Sequence, residues 1–223
     1  MKNHFFLLLC LFSVSTGFAQ AVAIDTTSRP WNFDYIVNQF EHYPDSQEDI
    51  IFLGNSITSS VNWHELLSLP QARNRGISGD TSFGILERLD EVTEGNPAKV
   101  FLLIGINDIA KNFPAPMIIR NYEKIVQRIK SESPQTEIYV QTLMPVNNTF
   151  TQFKGHYNKD EVIAEVNEGI RKIAEEQEVN LIDLHPHFLD AEQRLIKEYT
   201  EDGLHLNAEG YAAWAEILMP YLK

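Results

Sequence analysis

From residue 49 onward, short apolar runs alternate with longer stretches whose apolar residues recur every three or four positions. Runs that are apolar throughout fit strands buried on both faces, and the longer one-sided stretches fit helices packed upon them. Strands are expected at 50–53, 74–77, 100–104, 138–143 and 181–184, and helices at 63–68, 82–92, 115–132, 160–178 and 208–221. In the third helix Ile118, Ile119, Tyr122, Ile125, Val126 and Ile129 form one stripe, which Val162, Ile163, Val166, Ile170, Ile173 and Ala174 repeat in the fourth. Each stripe gives its helix a single face for a core. A strand, a crossover helix and a further strand make a βαβ unit with parallel strands, and successive units cover both faces of the sheet. The expected fold is therefore α/β: a three-layer α/β/α sandwich around a five-stranded parallel sheet.

The residues ahead of this pattern have a different make-up. Met1-Lys2 precedes an apolar run from Phe5 to Phe12 and then the small residues Gly17 and Ala19, so residues 1–20 read as an export signal. That run is too short to span a bilayer, and no later stretch approaches the roughly 20 apolar residues a spanning helix needs. No stable membrane insertion is expected. Residues 21–48 read as an N-terminal arm or linker, in which Trp31, Phe33, Tyr35, Phe40 and Tyr43 suffice to dock it on the domain as an arm or short helix. Residues 49–223 form the domain itself, a length that suits one core.

Composition narrows the chemistry. The only cysteine, Cys10, lies inside the apolar run, so the exported chain has no thiol for a covalent mechanism, a thiolate metal site or a disulfide. Leu9 stands before it where a lipidation signal has a small residue, so lipid attachment is not expected. Loss of residues 1–20 leaves 17 basic residues against 31 acidic, a net charge of −14. That charge opposes phosphate backbones and anionic lipid surfaces, and nucleic acid is not an expected partner.

Four separated stretches carry candidate chemistry: Gly54-Asn55-Ser56-Ile57, Ile77-Ser78-Gly79-Asp80, Gly105-Ile106-Asn107-Asp108 and Asp202-Gly203-Leu204-His205. The first three each follow an expected strand and the fourth precedes the last helix, so all can meet beyond the carboxyl ends of the strands, where such sheets bind ligands. A serine hydroxyl needs a base to take its proton, an acid to orient that base and donors for a developing oxyanion. Ser56 is the candidate nucleophile, His205 the base and Asp202 its orienting acid. Gly79 (backbone N–H) and Asn107 (side-chain N–H) are the candidate oxyanion donors beside the Ser56 N–H. Read singly, each has a plainer use: Ser56 as a helix cap, Asp202 and Gly203 as a turn, Gly79 and Asn107 as turn residues. Asp80 and Asp108 are expected to brace their loops.

His185-Pro186-His187 with Asp183 is a weak ligand set and no His-Glu-x-x-His run exists, so neither a metal nor a cofactor is expected. There is no Gly-x-Ser-x-Gly elbow and no Walker loop. The irregular stretch 144–159, with Pro145, Asn147, Asn148, Phe150, Phe153, His156 and Tyr157, is the candidate pocket wall, since long loops inside a compact domain often serve function.

Taken together the blocks resemble the SGNH hydrolase superfamily, the GDSL-type esterases and lipases, whose letters map onto Ser56, Gly79, Asn107 and His205 over residues 50–222. The runs Asn74 to Thr81, Gly105 to Asp108 and Asp202 to Asn207 are similar to the platelet-activating-factor acetylhydrolase-like branch. One departure is Asn55, where the family usually has aspartate. The resemblance implies a flavodoxin-like sandwich with a metal-free serine esterase site, in which Ser56 is nucleophile, Gly79 and Asn107 oxyanion donors, and Asp202 and His205 the acid and base. The expected activity is hydrolysis of short-chain, foremost acetyl, esters of O-acetylated carbohydrates by a secreted or periplasmic enzyme. The competing expectations are a lipid esterase or lysophospholipase, and a non-catalytic carbohydrate-binding domain on the same scaffold.

Overall fold

Each of the five apolar runs forms a strand, with ends displaced by at most two residues from those expected. The computed structural model describes residues 24–222; the expected export signal, with Cys10, lies outside them. In chain order the helices and strands are α1 (Phe33–Glu41), β1 (Ile50–Gly54), α2 (Ser56–Ser59), α3 (Trp63–Leu66), β2 (Ala72–Gly76), α4 (Ser82–Glu87) and α5 (Asp90–Thr93). They continue with β3 (Lys99–Leu103), α6 (Ile106–Ala110), α7 (Ala115–Glu132), β4 (Glu137–Gln141), α8 (Asp160–Glu176), β5 (Asn180–Ile182) and α9 (Ala208–Leu218).

All the strand pairs are parallel and the sheet order is β2-β1-β3-β4-β5. The chain leaves β1 toward one edge and returns through β3 toward the other, so a crevice opens beyond the ends of β1 and β3. In-register Phe52, Phe101 and Tyr139 form an aromatic row on one face, with ring centroids 5.1 and 4.5 Å apart. Trp63 of α3 stacks on Phe52 at 4.1 Å and meets the edge of Trp214 of α9 at 4.8 Å. On the other face Tyr122 of α7 is fully buried, and its hydroxyl donates to the Ile104 carbonyl and accepts from the Ile104 N–H. It thereby satisfies the backbone where the chain leaves β3 for the crevice.

At the carboxyl ends of β1 and β2 the register partners are both glycine, Gly54 and Gly76. A Cβ on Gly54 would lie 2.4 Å from the Leu103 carbonyl, and one on Gly76 would lie 2.4 Å from the Ser59 N. Only glycine lets α2 sit this close to the strand ends.

Three expectations about helices are corrected or sharpened. The single helix expected at 82–92 is two, α4 and α5, separated at Arg88 and Leu89. There the Arg88 side chain enters the core and binds Asp80, Glu91 and the carbonyls of Gly54 and Arg75. The helix expected to reach 221 stops at Leu218 and continues as a 3-10 turn, because Pro220 has no N–H to extend an α-helix. The one expected to reach 178 ends at Glu176, and Glu178 is left-handed with φ 52°. The aromatic arm contains α1, whose Phe33 and Phe40 pack with Ile77 in a small core of their own.

Candidate active site

The four sequence blocks occupy one edge of the sheet. The chain leaves β1 at Gly54, and Asn55 caps α2 by accepting the Ile57 N–H on Oδ1 at 3.0 Å. Capping thus falls to Asn55, and Ser56, the first residue of the helix, keeps its hydroxyl for another partner. An amide oxygen accepts this bond as a carboxylate would, which accommodates Asn55 at that position.

Ser56 Oγ lies 2.9 Å from His205 Nε2, and His205 Nδ1 lies 2.8 Å from Asp202 Oδ2. A carboxylate only accepts, so Nδ1 carries the ring proton, Nε2 is the acceptor and the Ser56 hydroxyl donates to it. The other Asp202 oxygen takes the backbone N–H groups of Leu204 and His205, at 2.9 and 2.8 Å. One carboxylate therefore orients the imidazole and fixes the turn that carries it. Burial opposes ionisation of Asp202, but the His205 ring and these two amides outweigh it and hold the carboxyl below its usual range. Gly203, at φ 79°, makes the turn, and a Cβ there would lie 2.4 Å from the Asn147 carbonyl.

Gly79 is exposed after β2, in a left-handed conformation with φ 81°. Asn107, half-buried in α6, donates Nδ2 to the Asp80 carbonyl at 2.9 Å, which ties it to the residue beside Gly79 and leaves its second amide hydrogen for a ligand. The neighbouring aspartates hold these loops. Asp80 accepts from the Thr81 N–H and from Arg88 Nε, and Asp108 from the N–H and hydroxyl of Ser82. Burial pushes the Asp108 carboxyl up to about 6 against the pull of the Ser82 bonds.

Three further side chains reach the site from the stretch between β4 and α8, and sequence reasoning assigned them no partners. Phe153 sets its ring against His205, with centroids 4.8 Å apart and planes at 76°. The Tyr157 hydroxyl donates to the Asp202 carbonyl. His156 Nε2 lies 3.0 Å from Asn107 Oδ1; burial, reinforced by nearby His205, lowers its pKa. The unusual length of the stretch was the only signal of these contacts. A small apolar hollow of about 10 Å³, room for no more than a water-sized group, lies among the buried side chains of Asn55, Ile57, Ile106, Leu143, Val146 and Leu204.

Of the His185, His187 and Asp183 set, His185 and Asp183 are otherwise engaged and His187 is exposed. Asp183 accepts from Thr142 and Arg171, and the His185 ring lies 2.8 Å from the Leu143 carbonyl. Among the described residues no group of three or more His, Cys, Asp or Glu is placed to hold a metal, and no helix is long and apolar enough to cross a membrane.

Residues 52–213 match the model of the GDSL-like Lipase/Acylhydrolase family. The chain belongs to this family. It is a hydrolase of the GDSL esterase type, and the five-stranded parallel sandwich is the fold of its structural relatives. Platelet-activating factor acetylhydrolase IB subunit alpha2 of Rattus norvegicus is 29% identical over 174 residues, which cover 75% of this chain and 73% of that protein. A Streptococcus pneumonia structure named for platelet activating factor is 32% identical with a TM-score of 0.79, covering 86% of this chain and 92% of that one. An acetyl xylan esterase shares the fold at 23% identity and a TM-score of 0.67, over 78% of this chain and 99% of the other.

Proposed function

We propose that this GDSL-family protein is a metal-independent serine esterase that removes short acyl groups, foremost acetyl, from O-acylated carbohydrates. The observation that carries the reading is the hydrogen-bonded series Ser56, His205 and Asp202. Ser56 Oγ attacks the ester carbonyl while His205 Nε2 takes its proton, and the Asp202 carboxylate steadies the imidazolium. The oxyanion is held by the N–H groups of Ser56 and Gly79 and by Asn107 Nδ2. As the tetrahedral intermediate collapses, the carbon–oxygen bond to the alcohol breaks and His205 returns the proton to that alcohol. Water, deprotonated by the same nitrogen, then releases the carboxylic acid from Ser56.

Two features support the substrate class. Pro30 Cγ comes within 3.4 Å of where a Gly79 Cβ would be, and the next residue, Trp31, is 96% exposed, with Tyr35 68% exposed on the following helix. Tryptophan before a helix cap ordinarily folds back as an apolar staple; here it faces water, as a platform for a sugar ring does. The leader at residues 1–20 supports export to the periplasm or beyond, where such glycans are met. The test is hydrolysis of p-nitrophenyl esters from acetyl to palmitoyl, together with acetylated xylo-oligosaccharides, by the protein and by Trp31→Ala. Fast acetyl turnover and a higher KM for the oligosaccharide alone in Trp31→Ala are expected; a long-chain optimum would transfer the assignment to lipid esters.

A further inference from the structure

We infer that His156 is a positioning residue of the oxyanion site, donating its Nε2–H to Asn107 Oδ1 and so holding the Asn107 amide with its free N–H turned toward the reacting carbonyl. The inference rests on the serine-esterase reading above and adds to it a residue from outside the four sequence blocks.

An asparagine side chain turns about a broad torsion with little intrinsic preference. A donor that must find its orientation during the reaction gives up much of the advantage of preorganisation. Asn107 has two anchors. Its Nδ2 donates to the Asp80 carbonyl at 2.9 Å, and this contact requires the amide nitrogen on that side. The opposite atom, Oδ1, is then an acceptor, and His156 Nε2 at 3.0 Å is its donor. With both ends held, the second Nδ2 hydrogen has one direction left to it. Removing His156 would leave the amide pinned at one atom, free to swing about the Asp80 contact.

His156 is itself well held. Its N–H donates to the Phe153 carbonyl at 2.8 Å, and the Phe153 N–H donates to the Tyr157 hydroxyl at 3.2 Å. That hydroxyl in turn donates to the Asp202 carbonyl. Phe153 meets the His205 ring at 4.8 Å and the His156 ring at 5.8 Å, standing edge-on to both. Residues 153–157 thus touch the base, the orienting acid and the oxyanion donor from one side. A single segment sets the relation between the two halves of the site, which come from loops about a hundred residues apart in the chain.

The test compares His156→Phe, which keeps a ring for packing but has no donor, with His156→Gln, whose amide can donate to Asn107, in steady-state hydrolysis of p-nitrophenyl acetate. In His156→Phe, kcat is expected to fall by roughly tenfold or more, part of the hundredfold to thousandfold that a whole oxyanion donor supplies, with KM and the melting temperature close to those of the parent protein. His156→Gln should recover most of the loss. The decisive comparison is the double variant Asn107→Ala/His156→Phe. If His156 acts only through Asn107, it should be no slower than Asn107→Ala alone. Losses that multiply in the double variant, or an unchanged kcat in His156→Phe, would overturn the inference. Ser56→Ala is the separate control: turnover retained there would count against the nucleophile assignment, not against the Asn107 contact.

Discussion

Replacing Arg88 by methionine removes a guanidinium with no exposed side-chain surface from between two carboxylates that are almost as deeply buried, Asp80 and Glu91. The losses are unequal. Glu91 keeps Arg75 at 3.0 Å, whereas Asp80 is left with the Thr81 N–H alone. Breaking a buried ion pair from one side costs about 3–5 kcal/mol. The Gly54 and Arg75 carbonyls also lose a donor each, which adds on the order of 1 kcal/mol. For a domain of this size each kcal/mol moves the melting temperature by about 2–4 °C, so a fall of roughly 8–24 °C is expected. The deficit should also depend on pH, with a fixed sign. Burial pushes the Asp80 carboxyl up and Arg88 is the chief opposing influence. Without Arg88 the folded variant holds a proton on Asp80 that the unfolded chain releases. Its stability relative to the parent therefore rises as pH falls toward the unfolded carboxylate range. Thermal melts of both proteins at pH 5, 6, 7 and 8 measure this, and adding Asp80→Asn to Arg88→Met should restore part of the loss. A fall of less than about 3 °C, or a deficit that widens on acidification, would refute the reasoning.

The remaining expectations concern the site. Asn107→Ala should lower kcat by about a hundredfold to a thousandfold with KM little changed, since the donor serves the oxyanion more than the ground state; steady-state kinetics on acetyl esters measures it. Asp202→Asn should lower kcat by roughly a thousandfold or more, because an amide permits the wrong His205 tautomer. The same substitution bears on stability. The carboxyl is held below its usual range, so its contribution is complete above the unfolded value and is lost as pH falls through the folded one. Acid unfolding followed by circular dichroism should accordingly show a steeper loss in the parent than in Asp202→Asn. Gly203→Ala places a Cβ 2.4 Å from the Asn147 carbonyl at φ 79°, and should reduce kcat on acetyl esters by more than about tenfold by shifting the turn that carries His205.

The strands and long helices were legible because burial on both faces, or along one stripe, leaves a periodic trace, as in the Ile118 to Ile129 face of α7. The break at Arg88 left none: Ile85, Leu89 and Val92 keep helical spacing through it, and an arginine in a sequence reads as an exposed residue. What decides the break is the pair of strand carbonyls that the guanidinium reaches, 34 and 13 residues earlier in the chain. The short helices α2 and α6, of four and five residues, are too brief to show a period. Ser56, Gly79, Asn107, Asp202 and His205 stood out because each lies in a compact block next to a strand end or helix start. His156 lies in no such block, and its contact with Asn107 spans 49 residues. It exists only once the stretch after β4 folds back over the ends of β1 and β3. Pro30 meets Gly79 by a similar return of the N-terminal arm, which the aromatic content of residues 31–43 suggested without indicating where it would dock.

The central claim is that Ser56 is the nucleophile. It is tested most directly by treating the protein with a fluorophosphonate and mapping the adduct by mass spectrometry, with Ser56→Ala alongside. One adduct on Ser56 is expected, formed in step with loss of acetyl-ester hydrolysis and slowed by substrate, while Ser56→Ala takes no label and turns over no ester. An adduct on another residue that abolishes activity while Ser56 stays unmodified, or hydrolysis by Ser56→Ala at the parent rate, would contradict it.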